Sequence, residues 1–121
     1  MKWISKTVNS NNIVSIYETN ITLNTQATSK FKNAYRVMIG IDNEKGIIAF
    51  RPLSIEDIDK FGIDEKTTYK ISIGSSYSRI SNKKIIKELT SQIGIYFDSK
   101  HKCFKYAANW NDKDSYLEIS Y

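Results

Sequence analysis

Four cations crowd one short stretch of the chain: Arg79, Lys83, Lys84 and Lys87. Arg79 stands in a strand-like run, and the lysines fall on the polar side of the helix expected to follow it. A strand end and an exposed helix face can meet nucleic-acid phosphates together, and each phosphate neutralised steepens the salt dependence of binding by about 0.9 units. Lys30, Lys32 and Arg36 form a second, looser group. The chemistry these seven side chains offer is phosphate contact, with Arg79 the best suited to reach a base edge. A solvated helix face that balances Glu88 gives the same pattern without any ligand.

Other residue sets offer less. Lys100, Lys102 and Lys105, with His101 between them, suit either a basic ribbon entering a groove or edge lysines that block sheet-to-sheet pairing. Tyr77, Tyr96, Tyr106, Tyr116 and Tyr121 could stack on single-stranded bases, but alternating aromatics in strands more often form cross-strand pairs. His101 and Cys103 invite a thiol–imidazole reading, yet no third orienting group stands near them in the sequence, and Cys103 reads as a small buried apolar residue. Glu56, Asp57, Asp59, Asp64 and Glu65 lack the ligand spacing of a calcium loop and read as a helix start and a solvated connector. One histidine and one cysteine fall short of the four ligands of a structural zinc site. No catalytic set, metal site, cofactor or small-molecule substrate is expected from the sequence. Trp3 and Trp110 read as core or edge anchors.

Composition narrows the setting. The 121 residues carry a net charge of +5. Residues 1–40 hold five basic and one acidic side chain, residues 41–68 four basic and seven acidic, and residues 69–121 nine basic and five acidic, so an acidic middle separates two basic blocks. That balance suits a polyanionic partner. Fifteen Lys against three Arg, with nineteen Ile and ten Asn, equally suit an AT-rich coding sequence. No apolar run approaches the roughly 20 residues a membrane helix needs. Met1-Lys2-Trp3-Ile4-Ser5-Lys6 is followed by no long apolar stretch, so no secretory leader is expected and the cytoplasm is the expected compartment.

The elements that must position these residues are mostly strands. Ile13–Tyr17 and Ile21–Leu23 are short β-rich runs, and residues 25–33 suit a weak helix. Residues 35–41 and 47–50 read as a hairpin turning through Asp42-Asn43-Glu44-Lys45-Gly46, with Pro52 ending the second strand. Ser54-Ile55-Glu56-Asp57 resembles a capping box opening a short acidic helix that Gly62 stops. Tyr69–Ile73 alternates like a strand and Gly74-Ser75-Ser76 breaks it. The best helix runs from Asn82 to about Gln92, with Ile85, Ile86, Leu89 and Ile93 on one face. Ile95–Phe97 and Lys102–Tyr106 suit a second hairpin around Asp98–His101, and Tyr116–Ser120 is a last alternating strand.

The order strand, helix, hairpin occurs twice, over 21–50 and 79–106. At an offset of 56, Val37, Ile39, Ile41 and Asp42 fall on Ile93, Ile95, Phe97 and Asp98. Two such units, neither able to bury its own apolar face, must share one core. This order resembles the swapped-hairpin proteins of the AbrB, SpoVT and MazE family. Ser78-Arg79-Ile80-Ser81, Lys84–Leu89 and Ile93–Asp98 carry the resemblance best, and Ile21–Leu23 with Val37–Asp42 carry it in the first copy. Two copies in one chain resemble the MraZ arrangement, and the composition suits a low-GC bacterium or its phage. The departures are the missing proline after the first strand and the reduction of the glycine–arginine pair to Ser78-Arg79, with Asn20-Ile21 in the first copy.

The resemblance implies an α+β fold, mostly antiparallel β with two short helices, its tandem half-units forming a small swapped-hairpin-like barrel. The expected single domain divides into a half-unit over 13–53, an acidic connector over 54–68 and a half-unit over 69–121. The implied function is a non-enzymatic DNA-binding regulator acting on duplex DNA. The alternative is a protein-interaction module, antitoxin-like or a phage accessory protein, that kept the fold and lost DNA. A homo-oligomer or a protein partner suits either.

Overall fold

The computed structural model describes residues 11–121; the chain start and Trp3 lie outside them. The elements are β1 (Asn12–Tyr17), β2 (Ile21–Leu23), α1 (Thr25–Thr28) continued by a 3-10 turn (Ser29–Phe31), β3 (Arg36–Asp42), β4 (Ile47–Leu53), α2 (Ile55–Phe61), a 3-10 turn (Glu65–Thr67), β5 (Ser72–Ile73), β6 (Ser78–Ile80), α3 (Lys83–Ile93), β7 (Cys103–Asn111) and β8 (Tyr116–Ser120). The fold is mostly antiparallel β with short helices. Among the described residues, no helix is long and apolar enough to cross a membrane.

All eight strands join one sheet in the order β3-β4-β8-β7-β1-β2-β6-β5. The two ends of that order approach each other. Tyr69 exchanges both backbone hydrogen bonds with Val37 on β3 (2.8 and 2.9 Å), and three residues later the same segment pairs with β6 as β5. One stretch of chain therefore touches both edges, and the sheet curls into a barrel-like shell. Its inward side chains form the core: Val14, Ile16, Ile21, Leu23, Ile48, Phe50, Ile80 and Leu117 are fully buried. Phe31 and α3's Ile86 and Leu89 complete it, with Phe31 edge-on to Trp110 at 6.4 Å. The period of two in the strands and the 85, 86, 89 spacing in α3 produce that burial directly.

Local signals set most boundaries. Asn24 and Asn82 cap α1 and α3, their side-chain oxygens accepting from the backbone N–H of Ala27 (3.0 Å) and Ile85 (2.9 Å). Ser54 and Asp57 form the reciprocal capping box at α2, with bonds of 3.0 and 3.1 Å. Gly62 and Gly94 end α2 and α3 in the left-handed conformation. The weak helix at 25–33 shortens to one turn of α1 plus a 3-10 turn.

Pro52 does not end its strand: β4 runs on to Leu53. Val37, opposite Pro52, spends its N–H and C=O on Tyr69, so this pair exchanges no ladder bonds. On its other side β4 pairs with β8 only over Ile47–Phe50. The missing N–H of Pro52 costs nothing at a position where no strand would receive it.

The repeat is present, but not at the expected offset. Ile95–Phe97 form no strand, and the second hairpin is β7–β8, turning at residues 112–115. β1–β2 and β5–β6 match at an offset of 57: Tyr17 donates to Asn20 as Gly74 donates to Tyr77. The hairpins β3–β4 and β7–β8 match at 69, which places Asp42, Lys45 and Gly46 on Asn111, Asp114 and Ser115. Asp42 accepts from the Lys45 N–H and Asn111 from the Asp114 N–H (3.1 and 3.0 Å), and Gly46 and Ser115 both have positive φ (65° and 56°). The jump between offsets comes from the longer α3 and the loop after it. Alternating apolar residues at 93, 95 and 97 mimic a strand, but residue 93 still belongs to α3 and Gly94 breaks the run.

Candidate nucleic-acid interface

Arg79 lies on β6 between Thr22 of β2 and Ser72 of β5. Thr22 in turn pairs with Ser15, and Ser15 with Lys105. Because Ile21, Leu23 and Ile80 point inward, the row Lys105-Ser15-Thr22-Arg79-Ser72 lies on the opposite face of five adjacent strands, with Ser15 itself buried. Arg79 and Lys105 stand out singly in the sequence; the register that aligns the five residues is tertiary.

The Arg79 guanidinium sits 5.5 Å from the Tyr77 ring centre and donates to the Tyr77 hydroxyl at 3.3 Å. Together they line a concavity of about 400 Å³ with Ser72, Ser75, Ser76 and Ser81. The turn that carries Ser75 and Ser76 is closed by the Gly74–Tyr77 hydrogen bond and tied to α1 through the Thr25 hydroxyl and the Ser76 carbonyl. A β-carbon on residue 74 would stand 3.1 Å from the Tyr77 carbonyl oxygen, so glycine permits the turn.

Lys83 and Lys87 line a different groove, of about 380 Å³, between α3, the β1–β2 turn with Glu18 and Thr19, and the exposed ring of Tyr96. Lys84 is exposed on the same helix outside that groove. Lys30 and Lys32 border a smaller cleft with Asp57, and the Lys30 ammonium lies 5.5 Å from the Trp110 ring centre. Arg36 rests over the Tyr35 ring at 5.6 Å and is 4.0 Å from Glu65. The fold thus brings Lys83 and Lys87 together, and Lys30 and Lys32 together, while Arg79 lines a third concavity.

Electrostatic pairing separates these cations. Among the described residues Arg36 pairs with Glu65, and the His101 ring hydrogen-bonds the Asp98 carboxylate. Among the described residues, no carboxylate lies within 4.0 Å of Arg79, Lys30, Lys32, Lys83, Lys84 or Lys87. No protein-family model matches the chain, and no curated protein or solved structure matches it.

The remaining sets resolve as packing. The loop before β7 folds around Asp98, whose carboxylate accepts from the backbone N–H of His101 (2.7 Å) and of Lys100 (2.8 Å). Those donors hold the Asp98 carboxyl below the usual carboxylate range. His101 turns its ring to Asp98 and stacks on Phe104, whereas Cys103 lies opposite Tyr17 and its side chain, beside the phenol, raises the Tyr17 pKa. The thiol and the imidazole therefore form no pair. Lys100 and Lys102 sit in that loop and Lys105 on β7, so no basic ribbon forms there. The tyrosines are dispersed: Tyr106 is half-buried with its pKa raised by burial, Tyr116 lies under Arg51, and Tyr121 donates to Asn43.

Proposed function

We propose that this protein acts by binding duplex DNA, without catalysis, through phosphate contacts from its lysines and Arg79. The observation that carries the reading is the set of six candidate cations left without a carboxylate partner. Cations that no carboxylate contacts directly keep their N–H donors free for a polyanion, and the release of counterions from DNA supplies the binding free energy. The uncharged hydroxyls beside Arg79 in the β5–β6 concavity add donors without adding repulsion.

The fold reading that goes with it is an exchange of hairpins between two half-units, as in the AbrB-like proteins. What supports it is the strand order: β7–β8 stands between β4 and β1, and so separates the first unit's hairpin from its own leading strands.

The test is titration of random-sequence duplex DNA at two salt concentrations, with the wild type beside Arg79→Ala/Lys83→Ala/Lys87→Ala. Micromolar binding that weakens steeply with salt is expected, and the triple variant should lower the salt slope by about two to three units. Absence of binding at low salt would remove this reading and leave the protein-interaction module as the one to pursue.

A further inference from the structure

A cleft of about 470 Å³ lies where α2 leans on the outer face of β3 and β4 beside the β7–β8 turn, adjoining the Lys30–Lys32 cleft through Pro52 and Asp57. Its volume is within the range of small-ligand pockets, about 300–1,000 Å³. α2 buries only Ile58 and leaves Phe61 64 % exposed on the cleft wall, so the helix encloses space rather than filling it. Met38, Pro52 and Ile63 make the rest of the wall apolar.

Three charged groups share that cleft. The Arg51 guanidinium is held by the Asp114 carbonyl oxygen at 3.1 Å and by the Tyr116 ring at 5.5 Å, and among the described residues no carboxylate lies within 4.0 Å of it. A guanidinium has five N–H donors, and this one spends a single donor on the protein. Asp57 and Asp114 each have one carboxylate oxygen engaged, by the Ser54 N–H at 3.0 Å and the Asn111 amide at 3.2 Å, and each keeps the other oxygen unbonded. Beside them stands Ser115, the one non-glycine residue with positive φ among the described residues. Its counterpart in the first hairpin is Gly46, for which that conformation is free of strain, so the chain keeps a hydroxyl at the cleft where glycine would cost less.

We propose that this cleft binds a small zwitterion with an apolar body, in class a free aromatic or large aliphatic α-amino acid. Arg51 receives the carboxylate through its unused N–H groups. The free oxygens of Asp57 and Asp114 receive the ammonium group, and Phe61, Met38 and Ile63 cover the side chain. A mono-anion would meet two carboxylates against one guanidinium, and a mono-cation would leave Arg51 unpaired, so one ligand carrying both charges matches the lining best. This inference is independent of the DNA reading.

Amide NMR spectra of the wild type, titrated with phenylalanine, phenylpropionate and phenethylamine, test it. Phenylalanine is expected to shift the amides of Arg51, Ile63 and Ser115 saturably, with each singly charged analogue about tenfold weaker. Arg51→Met should erase the preference over phenethylamine, and Asp114→Asn the preference over phenylpropionate. Equal binding of phenylalanine and either analogue in the wild type, or no shift at these amides, overturns the proposal whether or not the variants fold.

Discussion

The turns Tyr17–Asn20 and Gly74–Tyr77 are closed by the same backbone hydrogen bond, at 2.8 and 2.9 Å, and occupy the same place in the two halves of the repeat. Their side chains differ at almost every position. Glu18-Thr19 stand against Ser75-Ser76, Asn20 against Tyr77, and Thr22 against Arg79. Each turn also abuts the helix of the other half: Glu18 and Thr19 share a groove with Lys83 and Lys87, and Ser76 is tied to Thr25. The backbone is duplicated while the charge is not. One end of the barrel sets an acid beside two lysines, and the other sets hydroxyls beside an arginine. Backbone pairing demands only a period and a turn, so duplicated architecture leaves surface chemistry free to diverge.

The comparison can be broken first at the seam that joins the halves. Phe50 on β4 and Ile119 on β8 are counterparts at the offset of 69, and both are buried where the two strands pair. Phe50→Ala should cost about 3–5 kcal/mol, against about 0.5–1.5 kcal/mol for Ile119→Val, in urea unfolding. A small loss for Phe50→Ala would mean that the seam is not the core of the molecule.

A second link between the halves is polar. The buried hydroxyls of Thr28 and Ser78 lie 2.9 Å apart, and Thr28 donates onward to the Leu23 carbonyl at 3.1 Å, which makes Ser78 the donor to Thr28. Thr28→Val strands both Ser78 and that carbonyl and should cost about 1–3 kcal/mol. Adding Ser78→Ala should recover part of the loss, since it removes one orphaned donor; a double variant worse than the sum would contradict the pairing.

The hairpin turns sharpen the comparison further. Gly46→Ala places a β-carbon in the left-handed region and 3.1 Å from the Tyr121 carbonyl oxygen, and should cost about 1–2 kcal/mol. Ser115→Gly relieves the same conformation in the other hairpin and should raise stability by roughly 0.5 kcal/mol. Thermal unfolding of the two variants should move in opposite directions.

The smallest effect concerns the loop of residues 94–102, which the first half lacks. The carboxyl of Asp98 is lowered in the folded state, so its contribution is present above the unfolded pKa and is lost as pH falls through the folded one. A carbon-detected NMR titration should place its midpoint below the usual carboxylate range. Asp98→Asn should remove that step and speed hydrogen exchange at Lys100 and His101.

Much of this architecture was legible in the residues themselves. The alternation in Ile13–Tyr17, Tyr35–Phe50 and Tyr116–Ser120, the Ser54–Asp57 capping box and the glycine stops are patterns local in the chain, which composition and spacing encode directly. So do the apolar face of α3 and the exposure of its lysines. Strand, helix and hairpin recur in order, but the second hairpin is β7–β8 and not the segment around Asp98–His101 that the sequence suggests.

Tertiary pairing decided the rest. Whether 95–97 or 103–111 forms the strand depends on which segment β1 and β8 can bond, and apolar alternation alone does not distinguish them. The row from Lys105 to Ser72 exists only because five strands share a register. The withdrawal of Arg36 to Glu65, the independence of the other six cations, and the meeting of Arg51, Phe61 and Asp114 in one cleft all depend on residues far apart in the chain. Caps, turns and short side-chain spacings are local and were therefore readable from the sequence; strand pairing, charge pairing and enclosure depend on distances that only the closed sheet sets.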